Sequence, residues 1–138
     1  MNERWIITAA HCAEGLPTEH ISIVAGTVDY NVGGVHTGGP KISKIHYVKV
    51  KTFSDEYCKE LMGDEGSPWE TNICAGKAEG GIGECTGDSG GPLIIGDDGY
   101  QVGIVSWSIK PCASRNHPGV YTEIAYFIDW IRENSGTK

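Results

Sequence analysis

The sequence predicts an all-β protein with a helix at its C-terminus. Short apolar and β-branched runs alternate with glycine-rich stretches along the 138 residues, which is typical of strands joined by loops. Residues 93–95 and 100–107 flank a turn at 96–99, so we expect a β-hairpin there. Between positions 124 and 131 apolar residues fall at i, i+3, i+4 and i+7, which indicates an amphipathic helix closed by Gly136.

The other elements follow from the same patterns. Further strands are expected at 5–8, 21–25, 42–50 and 72–76. The first of them would be buried and would carry His11 at its end, and the glycine-rich residues 26–40 would form a loop or a loose hairpin. A short helix is expected over 53–62, capped by Ser54 or Asp55 and stopped by Gly63.

Composition excludes several classes of function. The chain has the length of one domain, a net charge of −7 and only 11 Lys and Arg residues without a basic run. Nucleic acid and membranes are therefore not expected as partners. No stretch approaches the ~18 consecutive apolar residues of a membrane span, and the N-terminus lacks the pattern of a signal peptide.

Five cysteines favour an oxidising compartment. None of them forms a Cys-x-x-Cys pair, so a metal site is not expected and disulfides fit better. The number is odd, so at least one cysteine lacks a partner within the chain.

Residues 83–93 form the stretch in which the chemistry is concentrated. Four glycines, a proline, two acids and a cysteine surround Ser89, a composition that predicts a shaped loop and not a helix or strand. Consecutive N–H groups can turn to one side of such a loop, and Gly87 leaves room for a carbonyl oxygen. Ser89 is thus the expected nucleophile beside an oxyanion hole.

Four segments in this order resemble the chymotrypsin/trypsin family of serine endopeptidases. They are Thr8-Ala9-Ala10-His11-Cys12, Gly87-Asp88-Ser89-Gly90-Gly91-Pro92-Leu93, Gly103-Ile104-Val105-Ser106-Trp107 and Pro118-Gly119-Val120-Tyr121-Thr122. The resemblance runs from about Arg4 to Ile131 and implies a hydrolase that needs no cofactor. It also implies one trypsin-like domain over 1–138, a chymotrypsin-like double β-barrel that is incomplete here, with a C-terminal α-helix.

The resemblance assigns roles around the nucleophile. It implies that Ser89 attacks the scissile carbonyl, that His11 is the general base, and that the Gly87 and Ser89 N–H groups hold the oxyanion. Asp88 would be a structural partner for the N-terminal amine that zymogen cleavage creates, not a member of the catalytic triad.

The resemblance also implies the surroundings of a substrate pocket. Ser106, Trp107 and Ser108 would form the strand that pairs with the substrate backbone. The implied disulfides are Cys85–Cys112, which braces the pocket, and Cys58–Cys74; Cys12 would be left unpaired.

The specificity of this pocket is ambiguous in the sequence. Gly83 stands at the expected pocket base, where trypsin-type members carry Asp, so an Arg/Lys pocket of the usual form is not supported. Gly119 leaves one wall open and Ser108 replaces a common glycine, which suggests apolar or aromatic side chains. Glu84 either points inward and offers a carboxylate to a basic side chain, or lies near the rim or faces away.

A central segment is expected to be missing. His11 and Ser89 are 78 positions apart, about 60 fewer than in the family template. The gap falls after residues 45–47 and would include the triad aspartate; Asp29 follows His11 but lies at the wrong offset. The N-terminal segment that would hold the partner of Cys12 is expected to be missing as well.

Two functions remain open. One is a secreted serine endopeptidase that cuts polypeptides and meets protein protease inhibitors. The other is a catalytically impaired fragment, splice product or pseudo-protease that acts by binding only. A purely structural module would make the loop around Ser89 a coincidence.

Overall fold

A computed structural model describes residues 5–21, 46–66 and 68–136. The chain divides into two compact units, residues 1–12 with 50–138, and residues 13–49. In the smaller unit, the described residues form a 3-10 turn at Thr18–His20. The larger unit contains a curled, antiparallel half-barrel of five strands, in the order β1-β2-β5-β4-β3. These strands are β1 (Lys51–Phe53), β2 (Asn72–Gly76), β3 (Pro92–Ile95), β4 (Tyr100–Trp107) and β5 (Gly119–Glu123).

The hairpin of β3 and β4 confirms the turn predicted at residues 96–99. The N–H of Gly99 donates to the carbonyl of Gly96 at 3.4 Å, and both glycines have positive φ. Glycine adopts this conformation without the cost that a side chain would add. The register shifts between Leu93 and Ile94 on the hairpin, and between Val105 and Trp107 where β4 pairs with β5.

Helix α1 (Asp55–Met62) confirms the predicted short helix. The Ser54 side chain caps it by accepting a hydrogen bond from the Tyr57 N–H at 3.3 Å. Gly63, with φ of +53°, ends it. The Cys58–Cys74 disulfide joins the helix to β2.

The core of the larger unit lies on both faces of β2 and β5. Successive residues of a strand point to opposite faces. Cys74 and Val120 therefore pack with Met62 of α1 on one face, whereas the residues that follow them in each strand belong to a second cluster on the other face. The second cluster holds Ala75, Leu93, Val105 and Tyr121. Both clusters are small, and the second one includes residues of β2 and β3, the strands that precede and follow the loop of Ser89.

The C-terminal helix begins later than its pattern predicts. A 3-10 turn at Ile124–Phe127 leads into α2 (Ile128–Ser135), and Gly136 closes it in the left-handed conformation, as expected. Over a single turn, the apolar spacing of the sequence fits both a 3-10 helix and an α-helix, so it does not predict where one changes into the other.

The prediction of a buried strand at residues 5–8 is wrong. Residues 5–9 have no regular structure, and Trp5 and Ile6 are 47% and 59% exposed. A strand requires a partner to satisfy its backbone groups, and no described strand pairs with this segment.

The prediction of a strand at 42–50 is wrong for the part that is described. Residues 46–50 have no regular structure, and β1 starts at Lys51 because its pairing with Gly76 of β2 sets the register. Residues 42–45 lie outside the described residues, as do 22–25 of another predicted strand, the predicted loop at 26–40 and Asp29 within it.

The described residues include neither a membrane-spanning helix nor a cluster of metal-ligating side chains. In these ranges no helix is long and apolar enough to cross a membrane. The same part of the chain has no group of three or more His, Cys, Asp or Glu side chains that could hold a metal ion.

Candidate active site

The loop around Ser89 is held by backbone hydrogen bonds on both sides of the serine. The Asp88 N–H donates to the Cys85 carbonyl at 3.0 Å, and the Gly91 N–H donates to the Asp88 carbonyl at 2.9 Å. Two further bonds fix the loop to β4: Gly90 N–H to the Val105 carbonyl at 2.8 Å, and Val105 N–H to the Gly91 carbonyl at 2.9 Å. Ser89 therefore sits on a loop that the sheet orients.

Gly87 and Ser89 provide two unpaired N–H donors in this loop. Neither N–H makes a hydrogen bond within the part of the chain that is described. Gly87 has φ of +99°, and a Cβ added to it would meet nothing within 4 Å. An oxygen atom can therefore approach these donors, and paired backbone N–H groups are the usual means of stabilising an oxyanion.

The carboxylate of Asp88 is engaged inside the loop. Its Oδ2 accepts a hydrogen bond from the Cys85 N–H at 2.7 Å, and the residue is exposed. This bond closes a short turn of the kind that Asp side chains commonly make with nearby backbone. The acid next to the nucleophile thus supports the loop from within.

The segment that carries His11 runs along the loop of Ser89. A Cβ added to Gly90 would collide with the Thr8 hydroxyl and lie 3.3 Å from the Ala9 nitrogen. His11 lies in a 3-10 turn, Ala10–Cys12, and is exposed. No hydrogen bond or ion pair from a described side chain reaches its imidazole, so none of the described carboxylates orients it.

Glu84 is buried against β5, with 8% of its surface exposed. A Cβ added to Gly119 would lie 2.8 Å from Glu84 Cγ and 3.1 Å from Oε1, so only a glycine leaves room for this side chain. Of the two orientations open to Glu84 in the sequence, the structure has the inward one. The wall position that Gly119 leaves open is filled by Glu84 itself.

Tyr121 lies beside the same carboxylate. Its Cε2 is 3.1 Å from the position of a Cβ at Gly119. Burial, and then the Glu84 and Asp88 carboxylates, raise the pKa of Tyr121 to about 12. The phenol therefore stays neutral in neutral solution and forms an uncharged wall beside Glu84.

Two loops approach each other around Gly83. The Gly81 N–H donates to the Ala113 carbonyl at 2.7 Å, and a Cβ added to Gly83 would lie 3.2 Å from Ala113 Cβ. The Cys85–Cys112 disulfide joins the same two loops. Cys12 is exposed and free.

The last residues of β4 line a cavity together with residues that the sequence analysis did not assign to a site. The register shift places Ser106 in a β-bulge, where a side chain is commonly re-aimed. The cavity has a volume of ≈ 450 Å³ and is lined by Trp69, Thr71, Asn72, Ser106, Trp107, Thr122 and Phe127. Trp69 is largely exposed, and its backbone N–H donates to Asn72 Oδ1 at 2.9 Å. Ser106 and Trp107 were expected beside a substrate, and an aromatic residue in a polar stretch was the sequence signal for Trp69.

Comparison with known proteins gives a family model and a set of relatives. The family model described as Trypsin matches residues 22–131. Trypsin-1 of Astacus astacus is 38% identical over 122 residues, which cover 87% of this chain and 51% of that protein. Transmembrane protease serine 11A of Homo sapiens is 38% identical over 109 residues, covering 75% of this chain and 25% of the relative.

A third relative is more similar over a shorter stretch. Serine protease 41 of Homo sapiens is 52% identical over 78 residues, 55% of this chain and 24% of that protein. The chain thus spans about half or less of the length of these relatives, at 51%, 25% and 24%.

Proposed function

This chain belongs to the trypsin family, and on that premise we propose that it carries the nucleophile and general base of a serine endopeptidase. Ser89 is the proposed nucleophile and His11 the proposed base. Gly87 and Ser89 donate the N–H groups of the oxyanion hole.

The proposed reaction proceeds through an acyl-enzyme. Ser89 Oγ forms a bond to the scissile carbonyl carbon while His11 takes the hydroxyl proton, and the oxyanion is held by the two N–H donors. His11 then protonates the departing amine as the C–N bond breaks. Water, deprotonated by His11, attacks the ester and releases Ser89 with its proton restored.

One observation supports this reaction most directly. The unpaired Gly87 and Ser89 N–H groups occupy the loop against which Thr8 and Ala9 pack, three and two residues before His11. Preorganised donors of this kind are worth about 10²–10³ in turnover each. The oxyanion site is thus supported by geometry in addition to motif.

Labelling with a fluorophosphonate tests the nucleophile. The phosphonate should attach to Ser89 with loss of fluoride, and tryptic peptide mass spectrometry should locate it there. Ser89→Ala should abolish labelling, and His11→Ala should slow it strongly, whereas Ser54→Ala removes a serine away from the site. Labelling that is absent, or that persists in Ser89→Ala, would exclude the proposed nucleophile.

A second candidate function is binding without turnover. It is favoured by the absence of any described carboxylate on His11 and by the engagement of Asp88 with the Cys85 N–H. We propose that the triad acid belongs to a central segment that this chain lacks. Loss of that carboxylate costs about 10⁴ in turnover.

Turnover measurements separate the two functions. Hydrolysis of peptide anilides by the chain, abolished in Ser89→Ala, would exclude binding alone. Turnover below detection, together with binding of the same peptides by Ser89→Ala, would support the function of binding without turnover.

The disulfides support a location outside the reducing cytosol. Cys58–Cys74 and Cys85–Cys112 are of the kind that persists in extracellular proteins. We propose a secreted protein whose partners are polypeptide substrates and protein protease inhibitors. Mass spectrometry of the protein from culture medium, with and without reduction, tests this location.

A further inference from the structure

We propose that the cavity between Trp69, Trp107 and Phe127 binds a neutral saccharide through aromatic rings and free hydroxyl groups. The cavity has a volume of ≈ 450 Å³, which lies within the range of small-molecule sites in proteins. All of its lining residues belong to the larger unit of the chain. This ligand is additional to a polypeptide substrate, and its binding does not depend on the proposed peptidase function.

Aromatic rings supply the apolar part of the cavity. Three of its seven lining residues are Trp69, Trp107 and Phe127, and the two tryptophans are 78% and 37% exposed. A pyranose ring has a face made of C–H groups. That face packs on an aromatic ring, because the contact buries apolar area and places C–H groups against the electron-rich surface of the ring.

The backbone of Trp69 is fixed although its side chain is exposed. Its N–H donates to Asn72 Oδ1 at 2.9 Å, and its carbonyl accepts from the Asn72 N–H at 2.9 Å. The side-chain amide of Asn72 donates in turn to the Tyr121 carbonyl at 3.5 Å. Trp69 is therefore attached to the sheet before any ligand arrives, which lowers the entropy that binding must remove.

Three hydroxyl groups supply the polar part of the cavity, those of Thr71, Ser106 and Thr122. Thr122 pairs with Asn72 across β2 and β5, and the Thr71 carbonyl accepts from the Glu123 N–H at 2.8 Å. Within the described residues, no hydrogen bond reaches any of the three hydroxyl groups. Each of them can donate and accept, as the hydroxyl groups of a sugar do.

The absence of charge from the lining selects a neutral ligand. None of the seven lining residues carries a charge at neutral pH. A charged ligand would lose hydration without gaining a counter-charge, and a wholly apolar one would cover the hydroxyl groups and leave them unpaired. A neutral sugar ring has an apolar face and a rim of hydroxyl groups, so it matches both parts of the cavity.

The saccharide and a polypeptide would use different atoms of β4. The family resemblance implies that Ser106 and Trp107 pair with a substrate backbone, and such pairing uses main-chain N–H and C=O groups. The cavity offers the side chains of the same two residues. A sugar therefore contacts a surface that backbone pairing leaves open.

Saturation-transfer NMR of the full chain tests for this ligand without requiring turnover. The Ser89→Ala variant is mixed with four neutral disaccharides: lactose, cellobiose, mannobiose and chitobiose. At least one should bind, and replacing one of its hydroxymethyl groups by a carboxylate should weaken its binding about 10-fold or more. Binding of none of the four, or equal binding of the charged counterpart, would overturn the proposal.

Matched variants locate the bound sugar. Trp69→Ala should weaken binding about 10-fold, whereas Trp130→Ala removes a 60% exposed tryptophan outside the cavity and should change it little. Thr71→Val should weaken binding about 5-fold and the exposed Thr52→Val should not. Equal effects within either pair would overturn the assignment. If Trp69→Ala fails to fold, the threonine pair still decides.

A glycopeptide distinguishes a free sugar from a glycan carried by a protein. An asparagine-linked glycopeptide with a neutral high-mannose glycan is compared with the released glycan and with the deglycosylated peptide. The released glycan should bind, and tighter binding of the glycopeptide would identify a protein-borne glycan as the ligand. Binding of the deglycosylated peptide as tight as that of the glycopeptide would show a peptide site and overturn the proposal.

Discussion

At the scale of single residues, Gly90 connects the nucleophile loop to the segment before His11. We expect Gly90→Ala to cost roughly 2–4 kcal/mol, since φ of +83° disfavours a side chain and the new methyl group would collide with Thr8. Gly99→Ala has φ of +73° with open space around it, and should cost only about 1–2 kcal/mol.

Urea unfolding and the labelling rate at Ser89 measure this difference. Gly90→Ala should lose both stability and labelling, whereas Gly99→Ala should lose stability alone. Equal behaviour of the two variants would show that the contact with Thr8 does not matter.

Tyr121 gives the protein a dependence on alkaline pH. Its pKa is raised from 10.0 to about 12, so the folded state holds the phenol proton more tightly than the unfolded state. The contribution to stability is complete below pH 10 and is lost as the pH rises through 12, about 3 kcal/mol in total. Phenolate absorbance should show a late-titrating step that Tyr121→Phe removes and that Tyr126→Phe leaves in place.

The local motifs made Ser89 and its N–H donors predictable, but not the orientation of Glu84. A glycine-rich loop around a serine can be recognised because its residues are consecutive in the sequence. Glu84 turns inward because position 119, 35 residues later, lacks a Cβ, and sequence reasoning did not combine the two. The sequence therefore left two specificities open, an apolar one suggested by Gly83 and a basic one through Glu84.

At the scale of elements, α1 depends on its cap. Ser54→Ala should cost about 1 kcal/mol because the Tyr57 N–H loses its acceptor. Ser54→Asp should retain most of that stability, since Asp is an equally good capping residue. Thermal unfolding measures both variants, and equal losses would show that the cap contributes nothing.

Elements with local determinants were predictable, and those that need a distant partner were not. The cap, stop and apolar spacing of α1 lie within ten residues, and the β3–β4 hairpin encloses its own turn. Residues 5–8 have the composition of a strand, but composition does not supply the second strand that would pair with it. The start of β1 at Lys51 likewise depends on β2, more than 20 residues away.

At the scale of the whole molecule, exposed apolar surface limits stability. Trp5, Ile6, Ile94 and Ile95 are each about half exposed, and no described strand covers the outer edges of β1 and β3. We therefore expect the isolated chain to unfold over a broad temperature range and to aggregate. Calorimetry with light scattering measures this, and a sharp transition of a purified monomer would contradict it.

The Cys85–Cys112 disulfide makes the arrangement of the two loops around Gly83 sensitive to the way in which the protein is prepared. It joins the loop of Glu84 to the loop after β4, whereas the strands are held by their own hydrogen bonds. A reductant would therefore separate these two loops while most of the sheet remained paired. Protein purified in thiol buffer would keep most of its strand pairing and lose the fixed arrangement of these two loops.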